Sequence, residues 1–282
     1  MKSLQIEVRS NTLKVPGAKV YYEVQGSGPV LLMIPGGPAD AGIFTALAGH
    51  LAGSYTTVRY DPRSNSRSVL DGPPRDQNMD QHGDDAAQLL ALFGSEPAYV
   101  LGSSGGAQIG LNMAARHPER VKTVVAHEPP CIQLLPNAEE HHRFTNDVYE
   151  TYRASGAGAA MKKFLAATGI GAGRKPENAA PPPPELGESY GRMQGNLDYF
   201  FAHGFKPISL FVPDVATLRA GAAHIVIGVG ETSAEQVAHR TAVALAERLG
   251  VQPVIFPGGH GGYNDLPAEF ADKLRSVLSE FA

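Results

Sequence analysis

A serine enclosed by glycines is the residue of this sequence best suited to nucleophilic chemistry. Ser104 is the centre of G-S-S-G-G at residues 102–106, which follows the apolar run 98–101 and opens a helical stretch. A strand, a tight turn and a helix in that order hold a serine hydroxyl out at the edge of a sheet, and a Cβ in place of the glycines would clash. Ser103 is the weaker candidate, because the same pattern centred on it would need glycine where Leu101 stands. The alternative interpretation is an ordinary turn without chemistry.

A histidine that could serve this serine as a base follows the last predicted strand. His260 lies in P-G-G-H-G-G at residues 257–262. Imidazole titrates near neutrality, so it can take a proton from a serine and return it to a leaving group. The run follows the carboxyl end of its strand, and ligand sites of open α/β sheets gather at that edge. The sequence therefore predicts that His260 acts as the base for Ser104.

A second glycine turn could supply hydrogen-bond donors to a reacting carbonyl. P-G-G-P occupies residues 35–38, directly after the apolar run 30–34. The backbone N–H groups of Gly37 and Gly105 would together give the two preorganised donors that an oxyanion requires. Alone, P-G-G-P is an ordinary turn. Together with Ser104 and His260 it forms a catalytic constellation.

Alternating strands and helices must position these segments. The predicted strands lie near 19–24, 30–34, 56–60, 98–102, 121–126, 223–229 and 252–256, and the predicted helices near 80–93, 106–116 and 234–249. This alternation favours an α/β fold, in which helices cover both faces of a mostly parallel sheet.

A long segment without strands interrupts the alternation. We predict a core domain of residues 1–130 and 207–282 and a helical insertion of residues 131–206 that covers one end of the sheet. Apolar residues recur in the insertion at helical spacing. They either pack on the core domain or line a substrate pocket beneath a lid. The substrate-binding candidates are Phe144, Tyr152, Met193 and Leu197.

Composition limits the kinds of protein that this chain can be. Its 282 residues are 43% hydrophobic and 18% charged with a net charge of -4, as expected of one large folded domain with an insertion. No basic run could follow a phosphate backbone, so we expect no nucleic-acid partner. The single cysteine, Cys131, favours a reducing compartment and excludes a zinc site built from several thiolates. With neither a signal peptide nor an apolar run of membrane-spanning length, we expect a cytoplasmic monomer or homodimer without a membrane partner.

These segments together resemble the α/β-hydrolase superfamily over almost the whole chain. P-G-G-P stands where relatives often carry H-G-G-P, and residues 60–68 are similar to the family's D-x-R-G-x-G-x-S segment. The Ser104 turn, the insertion and the His260 loop complete the resemblance. It implies an eight-stranded, mostly parallel sheet, a helical lid between strands six and seven, no cofactor and no metal. It also implies a nucleophile, an acid and a histidine in that order along the chain.

The sequence departs from the family pattern at several positions. Pro35 replaces the usual histidine before the glycines, and Ser64 and Ser66 replace glycines of the D-x-R-G-x-G-x-S segment. Ser233 stands after the predicted strand near 223–229, which corresponds to strand seven of the family, where relatives commonly place an aspartate. The acid must therefore come from elsewhere.

Two glutamates compete for the role of the acid. Glu128 follows the predicted strand near 121–126 in H-E-P-P, which corresponds to strand six of the family, and the two prolines after it favour an extended, stiff backbone. We expect its carboxylate within hydrogen-bond reach of His260 Nδ1. Glu231 is the alternative acid, and Glu235 is better explained as a residue in the first turn of a helix.

The resemblance and the constellation together predict a serine hydrolase. We expect a small, moderately apolar ester or lactone as the carbonyl substrate, cleaved through an acyl-enzyme on Ser104. A second possibility is an aminopeptidase similar to proline iminopeptidases, in which acids of the insertion would hold a substrate amine. A third is a ligand-binding protein or a cofactor-free oxygenase that retains the fold. The acids considered for the second possibility are Glu139, Glu140, Asp147 and Glu150.

Overall fold

A nine-stranded sheet organises residues 6–170 and 184–282, the part of the chain that the computed structural model describes. The strands are β1 (Val8–Val15), β2 (Ala18–Gly26), β3 (Val30–Ile34), β4 (Thr56–Tyr60), β5 (Val69–Leu70), β6 (Ala98–Ser103), β7 (Val121–His127), β8 (His224–Gly230) and β9 (Val254–Phe256). Their spatial order is β1-β2-β4-β3-β6-β7-β8-β9, and the short β5 pairs with β2. Strands β1 and β2 are antiparallel to their neighbours, and all pairs from β4 to β9 along this path are parallel. The predicted sheet is confirmed, and β5 adds a ninth strand to the eight expected.

Helices connect most of the parallel strands. The described α-helices are α1 (Thr45–Leu51), α2 (Met79–Leu90), α3 (Gly105–Arg116), α4 (Ala138–Thr168), α5 (Pro184–Tyr199), α6 (Phe205–Leu210), α7 (Val215–Ala220), α8 (Val237–Leu249), α9 (Gly262–Asp265) and α10 (Pro267–Ser279). A π-helical turn, Phe200–Gly204, joins α5 to α6. No helix in the described ranges combines the length and the apolar character needed to cross a bilayer.

Helices pack on both faces of the sheet because its central strands are apolar on both faces. Along β3, Leu32 and Ile34 belong to the apolar layer that α2, α3 and α8 share. Leu31 and Met33 belong to the opposite layer, to which α1 and α10 contribute. This is the two-residue alternation of a strand. All four side chains are fully buried, and each contributes about 1.5–3 kcal/mol to stability. The centre of the sheet is therefore a rigid base for its carboxyl edge.

The described residues between β7 and β8 form helices joined by loops, without a strand. They contain α4 to α7, and α4 changes direction at Gly156, where φ is +81°. Apolar side chains from α4, α5, the π-helical turn and α6 form a third cluster of their own. The predicted boundary at residue 206 falls within α6, so the helical stretch continues past it to Ala220. The proline run of residues 181–184 lies largely outside the described residues.

Candidate active site

The turn between β6 and α3 holds Ser104 in a strained conformation. Its φ of 55° and ψ of -125° belong to a region that non-glycine residues rarely occupy. A Cβ on Gly102 would lie 2.3 Å from the carbonyl oxygen of Gly106, and a Cβ on Gly106 would lie 2.1 Å from that of Ile34. Both glycines are therefore required by close backbone approach. Ser104 remains partly exposed, whereas Ser103 is buried within the sheet.

Strand register brings Ser104 and Glu128 to the same edge of the sheet. The last residues of β6 and β7, Ser103 and His127, pair directly. Ser104 and Glu128 each follow one member of this pair, and the Ser104 N–H donates to the His127 carbonyl oxygen at 2.9 Å. The Glu128 N–H in turn donates to the carbonyl oxygen of Gly228 in β8, at 2.9 Å. The carboxyl ends of three adjacent strands thus form the floor of the candidate site.

The Glu128 carboxylate is joined to the His260 imidazole. Glu128 Oε2 lies 2.6 Å from His260 Nδ1, and the Glu128 side chain is fully buried. Burial opposes the charged form of Glu128, but the hydrogen bond and charge of His260, together with His127 and the Ser233 hydroxyl, lower its pKa to about 2. Glu128 is therefore a carboxylate at neutral pH. It fixes the imidazole with Nδ1 as the donor, which leaves Nε2 as the nitrogen that can accept a proton.

The backbone of Glu128 differs from the sequence-based expectation. We expected the following prolines to hold it extended, but its φ is +48°, so the residue is left-handed and that expectation is wrong. Such a conformation costs about 1–2 kcal/mol for a non-glycine residue. The hydrogen bond of its N–H to Gly228 and the two-sided binding of its carboxylate hold it there. Tertiary contacts outweigh the local preference of a residue before proline.

The other acid candidates lie at the protein surface. Glu231 is exposed, and its N–H donates to the Phe256 carbonyl oxygen at 3.0 Å. Glu235 is also exposed. Ser233, at the position where an acid was expected from the resemblance, is buried and donates a hydrogen bond to Glu128 Oε1. Sequence analysis noted Ser233 only as a missing acid and did not foresee this contact.

Two backbone amides lie beside Ser104. A Cβ on Gly36 would be 2.7 Å from Ser104 Cβ, so the P-G-G-P turn packs directly against the Ser104 turn. The nitrogen of Gly37 lies 3.3 Å from the position that a Cβ of Gly105 would occupy, and φ of Gly37 is +54°. The Asn65 side-chain amide donates to the Gly37 carbonyl oxygen at 3.1 Å and so braces the turn from behind. The amides of Gly37 and Gly105 are therefore neighbours, as two donors to one oxygen must be.

The serines that replace glycines in residues 60–68 keep the glycine conformation. Ser64 has φ of 70° and Ser66 has φ of 50°. Each costs about 1–2 kcal/mol relative to glycine in the same conformation. The Ser66 N–H donates to Asn196 Oδ1 of α5 at 2.8 Å, so this tight turn also binds the segment between β7 and β8. The tight turn of this segment is therefore retained although serines replace its glycines.

The buried carboxylate of Asp40 binds helix α5 beside the P-G-G-P turn. Asp40 accepts hydrogen bonds from Ser189 Oγ and Arg192 Nε, each at 2.5 Å. Burial raises the pKa of Asp40, but these hydrogen bonds and the charge of Arg192 lower it overall. Asn196 Nδ2 also donates to the Pro38 carbonyl oxygen at 2.7 Å. The segment between β7 and β8 is thus joined to the turn that carries the candidate oxyanion donors.

The substrate-binding candidates from the sequence lie in two different places. Phe144, Tyr152 and Leu197 join the third apolar cluster, whereas Met193 packs against the core layer of α1 and α10.

Two other side chains, Phe200 and Ile208, lie near Gly37 and Gly105. A Cβ on Gly37 would be 3.7 Å from the ring of Phe200, and a Cβ on Gly105 would be 3.4 Å from Ile208 Cδ1. Phe200 lies three residues after Leu197, at the helical spacing with which apolar residues recur in the insertion. Ile208 has no comparable sequence signal, because the position of α6 is set by tertiary packing.

No group of three or more metal-binding side chains occurs within residues 6–170 and 184–282. The candidate site combines the side chains of Ser104, Glu128 and His260 with the backbone amides of Gly37 and Gly105.

Comparison with known sequences identifies the family. A sequence model of the alpha/beta hydrolase fold matches residues 29–167. An uncharacterized hydrolase, YraK, of Bacillus subtilis is 35% identical over 279 residues, which cover 97% of each protein. The chain belongs to the α/β-hydrolase family. It is a hydrolase of this fold, as the resemblance predicted.

Other proteins are similar to this α/β hydrolase over shorter stretches or at lower identity. The 2-(acetamidomethylene)succinate hydrolase of Mesorhizobium japonicum is 31% identical over 102 residues, or 36% of each chain. The structure of a thermophilic esterase from Thermogutta terrifontis has a TM-score of 0.74 at 17% identity, covering 96% of this chain and 99% of that one. At that identity the esterase shows the fold alone.

Proposed function

We propose that this α/β hydrolase is a serine hydrolase that cleaves a small, moderately apolar ester or lactone through an acyl-enzyme on Ser104. The observation that carries the proposal is the 2.6 Å contact between Glu128 and His260 Nδ1, at the sheet edge where the strained Ser104 turn lies. A buried carboxylate that fixes one imidazole nitrogen prepares the other nitrogen to act as a base.

The proposed reaction has two halves. His260 Nε2 takes the hydroxyl proton of Ser104 while Oγ attacks the carbonyl carbon, and the amides of Gly37 and Gly105 donate to the oxyanion. The carbon–oxygen bond of the ester then breaks, and the departing alkoxide receives the proton from Nε2. Water then loses a proton to Nε2 and attacks the acyl carbon, and the bond between that carbon and Oγ breaks as Oγ takes the proton from Nε2. With a lactone, the alcohol group remains attached to the acyl chain.

The side chains next to the candidate oxyanion donors favour an apolar acyl group. Phe200 and Ile208 lie beside Gly37 and Gly105, and Phe200 also packs within the aromatic cluster of the insertion. An apolar wall favours the alkyl part of an ester and offers nothing to a charged group. These contacts support the expectation that the insertion acts as a lid.

The exposure of the acids in α4 counts against the aminopeptidase alternative. All four acids considered for binding a substrate amine are exposed. Asp147 is in addition paired with Lys163 at 2.5 Å. Charges on a solvated helix face contribute little to binding.

Covalent labelling tests the proposal. A fluorophosphonate probe should label the wild-type protein, and Ser104→Ala should abolish both labelling and the hydrolysis of p-nitrophenyl esters, because no other group can form the acyl-enzyme. Ser103→Ala is the matched control, since this neighbouring serine is buried, and it should keep most of the activity. Absence of labelling in the wild-type protein would instead favour a ligand-binding or oxygenase role. Survival of hydrolysis in Ser104→Ala would remove Ser104 from the mechanism.

A further inference from the structure

A buried serine contacts the carboxylate from the side opposite to the imidazole. Ser233 follows β8 and donates its hydroxyl proton to Glu128 Oε1. The Gly230 N–H donates to the same oxygen at 2.9 Å. The other oxygen, Oε2, faces His260 Nδ1. The two carboxylate oxygens are thus divided between the segment after β8 and the imidazole.

The surroundings of Ser233 determine the direction of its hydrogen bond. Its hydroxyl has one proton and three polar neighbours, which are Glu128 Oε1, the Gly230 carbonyl oxygen at 3.0 Å and His239 Nδ1 at 3.3 Å. A charged acceptor forms the strongest of these bonds, so the proton belongs on the side of Glu128. His239 can then donate from Nδ1 to a lone pair of the hydroxyl.

Glu128 is a long side chain on a strained backbone and needs more than one anchor. Its carboxylate is separated from the backbone by three rotatable bonds, and its φ is +48°. A single hydrogen bond to His260 leaves the carboxylate free to rotate about that contact. The titratable groups that face it are His260, His239 at 3.8 Å from Oε1, and His127. The two donors to Oε1, the Ser233 hydroxyl and the Gly230 N–H, oppose this rotation and keep Oε2 directed towards Nδ1.

We infer that Ser233 is a positioning residue, which holds the Glu128 carboxylate so that Oε2 orients the His260 imidazole. The inference rests on the proposed serine-hydrolase function. Ser233 contacts no substrate in this role and acts only through Glu128.

A double-mutant cycle tests the inference. Ser233→Ala should lower kcat for a p-nitrophenyl ester about tenfold, the smaller of the losses seen when an outer hydrogen-bond partner of a metal ligand is removed, and should leave KM unchanged. In a Glu128→Gln background the same substitution should cause no further loss, because there is no carboxylate to hold. Ser233→Thr keeps the hydroxyl and should keep kcat within about threefold of wild type.

A control separates this role from a general effect on folding. Thr57 Oγ1 is a buried hydroxyl that donates to the Gln25 carbonyl oxygen at 3.0 Å, between the amino-terminal half of β4 and β2. Thr57→Val deletes one buried hydrogen bond, as Ser233→Ala does, and should leave kcat unchanged. If Ser233→Ala does not fold, Ser233→Cys retains the size of the side chain with a weak donor, and its kcat should fall severalfold.

The outcomes distinguish the inference from the proposed function. If the wild-type protein fails to react with a fluorophosphonate, the proposed function is wrong. If it reacts, the inference is overturned by a folded Ser233→Ala or Ser233→Cys variant with wild-type kcat. It is also overturned by an equal loss of kcat in the wild-type and Glu128→Gln backgrounds.

Discussion

Replacing Glu128 by glutamine is the sharpest test of the candidate triad of Ser104, His260 and Glu128, because the surrounding hydrogen bonds determine the orientation of the new amide. The Gly230 N–H is a fixed donor 2.9 Å from Oε1. An amide NH₂ group cannot accept that hydrogen bond, so the amide oxygen must occupy the Oε1 position. The NH₂ group then faces His260 Nδ1 across 2.6 Å. Nδ1 is forced to accept, and the ring proton moves to Nε2, the atom that must deprotonate Ser104.

The expected loss follows from this wrong tautomer. In serine triads the corresponding change lowers kcat by about 10⁴-fold. A factor of 10⁴ corresponds to about 5 kcal/mol of transition-state stabilisation. The substitution changes neither the size of the side chain nor the apolar wall near Gly37, so KM should stay close to that of the wild-type protein.

Pre-steady-state hydrolysis of p-nitrophenyl acetate by Glu128→Gln is the assay, because acylation and turnover are then measured separately. Glu231→Gln is the matched control: Glu231 is exposed, so its amide should leave both rates unchanged. A Glu128→Gln variant within tenfold of wild type would refute the argument from tautomers. A loss in Glu231→Gln as large as that in Glu128→Gln would refute the assignment of the acid.

Two further predictions concern stability and substrate size. The pKa of Glu128 is lowered from 4.5 to about 2, so the stability due to its charge is complete above about pH 4.5 and is lost as the pH falls towards 2. Urea titrations over this range should show that the free energy of unfolding falls by about 3 kcal/mol more in the wild-type protein than in Glu128→Gln. Equal losses in the two proteins would contradict the lowered pKa. Shortening Ile208, which approaches Gly105, should enlarge the space for the acyl chain. Ile208→Ala should therefore raise the ratio of kcat/KM for a hexanoate ester to kcat/KM for an acetate ester about tenfold. Leu210→Ala, at an exposed position of the same helix, should leave this ratio unchanged.

Much of the fold could be predicted because its determinants are local in sequence. The apolar alternation of β3 and the glycines around Ser104 constrain neighbouring residues directly, through the pleat of a strand and the sterics of a turn. Register then follows from the packing of parallel strands, which brings the residues after β6 and β7 together. The contact between Glu128 and His260 could therefore be predicted, although the conformation of Glu128 could not.

The sequence by itself determined the α/β class, the mostly parallel sheet and the strand, turn and helix around Ser104. Only the tertiary structure decided the left-handed turn at Glu128, the approach of Ile208 to Gly105 and the hydrogen bond from Ser233. The contacts that fix Glu128 join residues from 102 to 132 positions apart, so no local propensity reports them. A prolyl neighbour restricts a backbone by a small energy, and a buried carboxylate with three donors outweighs it.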